Sequence, residues 1–336
     1  MKRFLIAFIL VVVVLPTVGC RKKEAEEGRA KLVVIKVVPG SASTTARENG
    51  FMDTVKKKYS ARMVVVDSRY GMSDRAKSLA VSEDLLTANP DLTGIFAANE
   101  SSTVGALEAV RARGLAGKVK LIGFDSSPSL EEGVKDGTID SLVVQDPFNI
   151  GYEGVRTVVD KLTGKTPTKD IKTKATLITR ENVSTPDIQK LLNPDIKKYL
   201  QREGEVASGE GKKVIAVIPK SQAHIFWQTV HAGAIAAGLD LGVKVRWKAP
   251  TTETDYAEQL RIVEDFITQK VDGIVLAPTD RKALVPYIEQ AGKAGIPLTI
   301  FDSGADTEQY VSFVATDNYQ GGVMAAERMA EILERK

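Results

Sequence analysis

The sequence predicts an α/β protein with two similar lobes, each a doubly wound parallel sheet. Near-continuous apolar strands alternate with amphipathic helical stretches, which is typical of a parallel sheet covered on both faces. The same order of strands and helices then occurs a second time along the chain. The length of 336 residues, with 43% hydrophobic and 26% charged residues, suits two globular domains of ordinary size.

Residues 1–20 are typical of a bacterial export signal. Lys2 and Arg3 precede an apolar run over residues 4–15, which is shorter than the ~20 residues of a membrane-spanning helix. Cys20 is placed as in a lipoprotein cleavage box, although Thr17 stands where such boxes usually carry Leu. Lipidation of Cys20 and plain cleavage with release therefore both stay open. We expect an extracytoplasmic protein that is attached to a membrane only if Cys20 carries a lipid.

The body of the chain follows a charged segment, residues 21–31, which is expected to be a solvated tether. Strands are predicted in the first half at Leu32–Val38, Met63–Asp67, Gly94–Ala98, Val119–Asp125 and Ser141–Gln145. Helices are predicted between them near residues 44–58, 74–88, 101–113 and 129–136. Strands are predicted in the second half at Lys213–Pro219, Val243–Trp247, Gly273–Pro278, Leu298–Asp302 and Val311–Ala315. Helices are predicted there near residues 226–241, 255–269, 281–293 and 319–335.

The two halves are also similar in detail. VSEDLLTANPDLTGIFAANE (81–100) matches IVEDFITQKVDGIVLAPTD (262–280), and KLIGFDSSP (120–128) matches PLTIFDSGA (297–305). A shared order of elements at shared spacing favours two lobes of one architecture over chance similarity.

Asp125 and Asp302 end equivalent strands of the two halves. Because ligands of open α/β sheets bind beyond the carboxyl ends of the strands, facing lobes would bring both carboxylates into one cleft. The alternative is that each Asp caps the helix or turn that follows it, a frequent role of Asp before Ser. The spacing alone does not choose between these interpretations.

The composition excludes several classes of function. Lys+Arg 46 against Asp+Glu 43 leaves no basic surplus, so we expect no nucleic-acid partner. One cysteine and two histidines, His224 and His231, exclude a disulfide scaffold, a cysteine zinc site and a multi-histidine metal centre. The sequence has no G-x-S-x-G elbow and no phosphate-binding G-x-x-x-x-G-K-[ST] loop. We expect no metal, no cofactor and no enzymatic activity, with Asp125 and Asp302 as a glycosidase pair the remaining catalytic alternative.

Residues 31–183 resemble the second part of sugar-binding proteins of the ribose-binding type, which serve ABC importers and have the type I periplasmic binding protein fold. This resemblance is carried by PGSASTTARENGF (39–51), SDRAKSLAVSEDLL (73–86), GIFAANESSTVGAL (94–107), KLIGFDSSP (120–128) and VVQDPFNIGYEGV (143–155). Residues 212–335 resemble the first part of the same proteins. That second match is carried by VIPKSQAHIFWQTVHAGAIAAG (217–238), DGIVLAPTD (272–280), IPLTIFDSG (296–304) and VATDNYQGG (314–322). The family normally runs the second stretch first, so this chain resembles a circular permutant.

The resemblance implies a division of the chain into two lobes joined by a hinge. Residues 32–145 with 319–336 correspond to the family's C-terminal lobe, and residues 146–175 with 213–316 to its N-terminal lobe. Residues 184–212 would join the ancestral ends through a helix over Pro186–Gln201 and the flexible GEVASGEGKK. Lys31 and Lys336 are then expected to be neighbours on one lobe, since permutation needs chain ends that lie close together.

The resemblance also implies a set of sugar-binding residues. They are His224, Phe226, Trp227, Asp302 and Ser303 from one lobe, and Arg47, Asn99, Asp125 and Gln145 from the other. Asp302 matches a carboxylate that holds two hydroxyls, and the two aromatic rings are expected to stack on the C–H faces of a sugar. Each residue also has an ordinary interpretation. The two rings could pack in the core, and His224 could lie in a surface loop. Arg47 could occupy an exposed helix position, and Asn99 could form a turn.

Two departures from the family pattern bear on the identity of the sugar. Ser303 stands where the family often has Arg, and Ser73 stands where it has an aromatic ring. Tyr70 is a candidate to replace that ring. These changes put ribose itself in question and favour another or a larger sugar.

The function implied by the resemblance is that of a monomeric, hinged receptor. A monosaccharide, ribose-like or another sugar, would bridge the lobes, favour the closed form and be passed to ABC permease subunits. The chain is expected to cross between the lobes near Gln145-Asp146, Thr316–Asn318 and Thr176–Arg180. One alternative is a sensory receptor that signals to a kinase or chemoreceptor. Another, a repressor of the lac type, would need a helix-turn-helix in place of the export signal.

Overall fold

The computed structural model describes residues 28–207 and 211–334. The strands form two six-stranded sheets, in the orders β2-β1-β3-β4-β5-β7 and β6-β12-β11-β10-β8-β9. All neighbours pair in parallel except β5 and β7, and helices cover both faces of each sheet. The predicted α/β fold with two parallel-sheet lobes is confirmed. The export signal with Cys20, most of the tether and Lys336 lie outside the described residues.

The first lobe is built on the first sheet. Its strands are β1 (Ala30–Lys36), β2 (Met63–Tyr70), β3 (Gly94–Ala97), β4 (Lys120–Phe124), β5 (Ser141–Val144) and β7 (Thr176–Ile178). Its helices are α1 (Ala42–Lys58), α2 (Arg75–Ala88), α3 (Glu100–Ala112), α4 (Pro128–Asp136) and α12 (Asn318–Glu334). Helices α1 and α12 approach closely at Gly322, where a Cβ would lie 2.0 Å from the carbonyl oxygen of Arg47. Glycine there lets the two helices pack at the position that carries Arg47.

The second lobe is built on the second sheet. Its strands are β6 (Asp170–Thr173), β8 (Val214–Ile218), β9 (Lys244–Trp247), β10 (Gly273–Leu276), β11 (Leu298–Phe301) and β12 (Phe313–Thr316). Its helices are α5 (Pro147–Leu162), α9 (Ile225–Leu241), α10 (Tyr256–Thr268) and α11 (Val285–Lys293). Helices α5 and α9 cross through a second close glycine contact, where a Cβ on Gly151 would lie 2.0 Å from Val230 O. None of the helices in the described ranges combines the length and apolarity needed to cross a membrane.

The chain passes between the lobes at the ends of three strands. The crossings follow β5 at Gln145-Asp146, β12 at Asp317 and β6 at Lys174-Ala175. The prediction of the third crossing over Thr176–Arg180 was wrong, because β7 already pairs with β5 in the first sheet. Strands β6 and β7 are short, at four and three residues, and were not predicted.

A fourth connection runs through residues 186–207, here called the strap. It consists of α6 (Pro186–Leu192), α7 (Ile196–Leu200) and α8 (Glu203–Ala207). The prediction of one helix over Pro186–Gln201 was wrong, because Pro194 lacks an N–H and forces Asn193 out of the helical region, to φ −127° and ψ 59°. Part of the segment predicted to be flexible is helical, in α8. The strap therefore packs on the protein instead of forming a loose linker.

Candidate functional site

Two aspartates occupy equivalent positions at the ends of the sheets that meet between the lobes. Asp125 directly follows β4 and Asp302 directly follows β11, and the backbone N–H of each donates to a neighbouring strand. Their φ angles are 65° and 58°, in a region that residues other than glycine rarely adopt and that recurs at functional sites. The carboxylates contact other side chains of the cleft wall and do not cap the turn or helix that follows.

Arg47 forms the floor of the site in the first lobe. Only 2% of it is exposed, so it is not the solvent-exposed helix residue that was one interpretation of the sequence. Its Nη1 donates to Ala98 O at 2.6 Å, its Nη2 donates to Asn318 Oδ1 at 2.7 Å, and the guanidinium lies 3.5 Å from the centre of the Phe124 ring. Nη1 is 3.7 Å from Asp125 Oδ2. Burial lowers the pKa of Arg47, and burial raises the pKa of Asp125 against the attraction of Arg47.

Gln145 and Asn99 complete the first-lobe wall. Gln145 Nε2 donates to Asp125 Oδ1 at 2.7 Å, which fixes the amide at the start of a crossing between the lobes. Asn99 Oδ1 accepts the Ser102 N–H at 2.9 Å and so caps α3. Asn99 Nδ2 donates to Ser73 Oγ at 3.1 Å. Asn99 thus has the local structural role that the sequence allowed, at a position that also faces the cleft.

Lys220, which the sequence analysis did not single out, lies opposite in the second lobe. It follows β8 and is 2% exposed, and its ammonium lies 2.7 Å from Asp302 Oδ2, so the two form a buried ion pair. Trp227 is also 2% exposed, and its Nε1 donates to Glu253 Oε1 at 2.9 Å. The Trp227 ring packs edge-on against Phe226 and Phe301. Trp227 therefore belongs to the core of the second lobe as well as to the cleft wall.

Several contacts join the lobes directly across the cleft. Lys220 Nζ donates to Ser43 Oγ at 2.9 Å, and the Ser43 N–H donates to Ser303 Oγ at 3.2 Å. His224 Nδ1 lies 3.5 Å from Glu100 Oε2, and its Nε2 lies 3.5 Å from Ser73 Oγ. The structure is therefore a closed arrangement in which His224 contacts the facing lobe and is not a surface loop residue.

These side chains surround a cavity between the lobes, here called the interlobe cavity, of about 30 Å³. That is roughly the volume of one water molecule in the liquid. The predicted site residues that line it are Arg47, Asn99, Asp125, Gln145, His224, Phe226, Trp227 and Asp302. Ser303 does not line it but contacts the facing lobe through Ser43, and Tyr70, 40% exposed at the end of β2, does not line it either. A sugar ring can enter only when the lobes separate or the side chains move.

The interlobe cavity contains polar atoms that the protein itself does not satisfy. Within the described residues, Gln145 Oε1 and Thr44 Oγ1 are buried and take part in no hydrogen bond. Asp302 Oδ2 is also buried, and the Lys220 ammonium lies 2.7 Å from it. Buried polar groups are normally paired, so such atoms in one cavity indicate a place for a polar ligand. In the part of the chain that the structure describes, no cluster of His, Cys, Asp or Glu could hold a metal ion.

Some of the residues that line the interlobe cavity were not predicted from the sequence. They are Ser43, Thr44, Glu100, Lys220 and Glu253. Most stand inside strings that had carried the resemblance, and Lys220 directly follows the strand that ends in Ile218-Pro219. A buried position after a strand end was the available signal. Glu253 lies in the loop after β9, where nothing in the sequence distinguishes it.

Comparison with known proteins identifies related chains of the same kind. Among curated proteins, a ribose import binding protein of Salmonella typhimurium is 37% identical over 140 residues, 42% of this chain and 45% of that protein. A D-allose-binding periplasmic protein of Escherichia coli is 34% identical over 139 residues, 41% of this chain and 43% of that protein. The chain thus matches less than half the length of each relative.

Solved structures and family profiles extend the comparison. A carbohydrate transporter solute-binding protein from Agrobacterium radiobacter, in complex with D-arabinose, has a TM-score of 0.48 and 36% identity, covering 52% of this chain and 59% of that one. A profile of the periplasmic binding protein domain matches residues 20–166 and 215–336. Because that profile covers most of the chain, this protein belongs to the periplasmic binding protein family.

Proposed function

We propose that the protein is an extracytoplasmic receptor that captures a monosaccharide between its lobes and delivers it to an ABC importer. The observation that carries the proposal is the interlobe cavity, where a carboxylate from each lobe meets buried oxygens of Gln145 and Thr44 that take part in no hydrogen bond within the described residues. Sugar hydroxyls both donate and accept, so they suit carboxylates and amides placed together. Hydrogen bonds to the carboxylates are charge-assisted and therefore among the stronger ones.

The charges of the cleft favour a ligand without net charge. Asp125 lies beside Arg47 in the first lobe, and Asp302 beside Lys220 in the second. Glu100 pairs with Arg75. Glu253, which also lines the cavity, accepts the Trp227 Nε1–H. An unpaired buried charge is costly, and Asp125, Asp302 and Glu100 already have cations beside them, so these groups leave no partner for the charge of an ionic ligand. The curated relatives named above are ribose and D-allose binders, which supports a pentose or hexose.

A ligand that joins two movable lobes needs only to be bound, and no covalent bond has to form or break. A sugar held by Asp125 on one side and Asp302 on the other would add bridges to the direct contacts of Ser43 with Lys220 and Ser303. The closed form gains these bridges and the open form does not, so the ligand shifts the population toward closure. The closed surface would then be the form that the permease subunits receive.

A thermal-shift screen with pentoses, hexoses and polyols tests the proposal. A true ligand at a hundredfold excess over its Kd should add about 2.7 kcal/mol to the free energy of unfolding. Asp302→Asn, which keeps the shape but removes the charge, should lose that gain. Asp265→Asn is the matched control, since Asp265 is 55% exposed and lies on α10. A panel that produces no shift, or an Asp302→Asn protein that keeps it, would contradict the proposal.

We also propose that the chain is a circular permutant, in which residues 32–145 with 319–336 form the family's C-terminal lobe. The family profile matches in two separate segments, and the end of α12 lies beside the start of β1. Glu334 pairs with Arg62, whose carbonyl oxygen accepts the Ala30 N–H at 2.7 Å. A gene that joins residue 334 to residue 30 and opens the chain at residues 208–210 should therefore give a folded protein with the same ligand. A rearranged protein that does not fold would contradict the permutation.

A further inference from the structure

A second cavity lies under the strap, between it and both lobes. It is here called the strap cavity and has a volume of about 270 Å³. That approaches the ~300–1,000 Å³ range of small-molecule sites. The loop after β4, residues 126–128, forms one wall, the start of α9 forms another, and strap residues 191–197 form the roof. The strap cavity is about nine times the size of the interlobe cavity beside it.

The two cavities share part of their walls. Asp125, Gln145 and Phe226 line both of them. Gln145 is fixed by its bond to Asp125 Oδ1, while its buried Oε1 takes part in no hydrogen bond within the described residues. These three side chains therefore form the partition between the two cavities, and a ligand that spans both must pass between them when the lobes part.

The roof of the strap cavity is anchored to both lobes. Gln189 Nε2 and Asn193 Nδ2 donate to the two carboxylate oxygens of Glu131, at 2.9 Å and 3.0 Å, and α6 packs on the first core through Leu192 and its apolar neighbours. Beyond the break at Pro194, the Tyr199 ring packs 5.2 Å from the Phe148 ring of the second lobe. A roof tied on both sides gives the cavity a defined shape.

The walls of the strap cavity have the mixed character that a sugar ring needs. Pro128, Leu192 and Phe226 offer apolar surface to C–H faces, while Ser127 and Asn193 offer hydrogen-bonding groups to hydroxyls. The Asn193 amide nitrogen already donates to Glu131 and the Ser127 hydroxyl pairs with Ser129, so the hydroxyls of a ligand would share these groups or meet the charged side chains of Asp195 and Lys197. The loss of an aromatic ring at Ser73, noted in the sequence, also favours a ligand that differs from a single ribose.

We propose that the strap cavity binds the second sugar unit of a disaccharide whose first ring lies between the lobes. The inference rests on the proposed function, because Asp125 and Gln145 must hold the first ring for the second to reach the strap. The strap is then a specificity device as well as a connection, because it supplies the roof over the second ring.

Isothermal titration calorimetry with matched sugars tests this assignment. The pairs are glucose with cellobiose and maltose, galactose with lactose, and xylose with xylobiose, with phenyl glycosides of the same sugars as an apolar comparison. At least one disaccharide should bind tenfold or more tightly than its monosaccharide. Leu192→Trp on the roof and Ser127→Gln on the wall should each remove that advantage and leave the monosaccharide Kd unchanged. Lys190→Trp is the matched control, since Lys190 lies on α6 with its side chain 81% exposed and does not line the cavity.

The outcomes separate the inference from the proposed function. If monosaccharides bind but no disaccharide gains affinity, or if only the phenyl glycosides gain, the second sugar site is wrong and the receptor function stands. The site is equally wrong if both filling variants fold, by circular dichroism, and keep the tenfold advantage. If no saccharide binds here and none in the thermal-shift panel gives a shift, the receptor function fails and this site fails with it.

Discussion

The two lobes share a design and differ in where their buried cation points. Each lobe has an Asp of positive φ after an equivalent strand, and each has a close helix pair that meets at glycine. In the first lobe, the Arg47 guanidinium donates hydrogen bonds to Ala98 O and Asn318 Oδ1, both within the same lobe. In the second lobe, Lys220 reaches across to Ser43. The first lobe is therefore the half of the site whose cation is bonded within its own lobe, here called the fixed half. The second is the half whose cation bonds the facing lobe in the closed form, here called the sensing half.

Arg47→Met should give the largest loss of stability, because it removes the buried cation of the fixed half of the site. It leaves Asp125 buried without its cation and removes the donors to Ala98 O and Asn318. Breaking a buried pair by removing one partner typically costs about 3–5 kcal/mol. Urea unfolding should show a loss of that size, and Arg111→Met, which breaks the exposed pair with Asp136, should lose less than about 1 kcal/mol.

Lys220→Met sharpens the contrast between the lobes. It also leaves a buried carboxylate, Asp302, without its cation, and in addition it removes a contact with the facing lobe. Solution scattering should therefore show a larger radius of gyration for Lys220→Met, and an unchanged one for Arg47→Met under conditions where both are folded. Equal opening in the two variants would remove the distinction between a fixed and a sensing half.

Each lobe also contains a buried group with a large pKa shift, Glu48 in the first and His231 in the second, and the two should respond to pH in opposite directions. In the first lobe, burial raises the pKa of Glu48 to about 7, although its Oε1 accepts the Val37 N–H at 2.9 Å. The folded state thus holds a proton that the unfolded state has lost. The resulting stability is present below pH 4.5 and is lost as the pH rises through 7, by about 3 kcal/mol in all.

In the second lobe, burial lowers the pKa of His231 to about 4. Its ring stacks 4.2 Å from the Trp247 ring, although the Glu203 carboxylate lies 3.4 Å from Nε2. At low pH the unfolded state binds a proton at His231 that the folded state does not bind. The stability contributed by the neutral ring is therefore present above pH 6.5 and is lost as the pH falls through about 4. Between pH 4.5 and 6.5 the effects of Glu48 and His231 oppose each other.

Urea unfolding from pH 5 to 8 should separate the two groups. Glu48→Gln should gain stability over the original protein as the pH rises, while His231→Phe, which keeps the stacking, should gain about 2 kcal/mol at pH 5 relative to pH 8. If the free energies of unfolding of both variants follow the same dependence on pH as that of the original protein over this range, neither group titrates as its burial implies.

The lobes and most of the cleft residues were predictable from the sequence because both depend on local patterns. Strand ends that carry Asp, Asn or Gln are visible in a single sequence, and parallel sheets bring such ends together. The cation at Lys220 and the break in the strap were not predicted, for two different reasons. Lysine is almost always exposed, so its burial depends on a partner, Asp302, that is distant in sequence. The break in the strap follows from Pro194, a local signal that the prediction of one helix over Pro186–Gln201 did not take into account.

Ser303→Ala should give the smallest effect and the most selective one. Ser303 Oγ accepts the Ser43 N–H from the facing lobe, so its loss weakens the closed form and leaves each lobe intact. One hydrogen bond contributes about 1 kcal/mol, which is roughly a fivefold change in the ratio of closed to open forms. Ser312→Ala is the matched control, because Ser312 is equally buried but its Oγ donates to Thr168 O at 2.7 Å within the second lobe. Single-molecule distance measurements between the lobes should shift for Ser303→Ala alone, while urea unfolding should weaken for Ser312→Ala. If the two variants exchange these effects, the contact of Ser43 with Ser303 does not govern closure, and the sensing role of the second lobe is confined to Lys220.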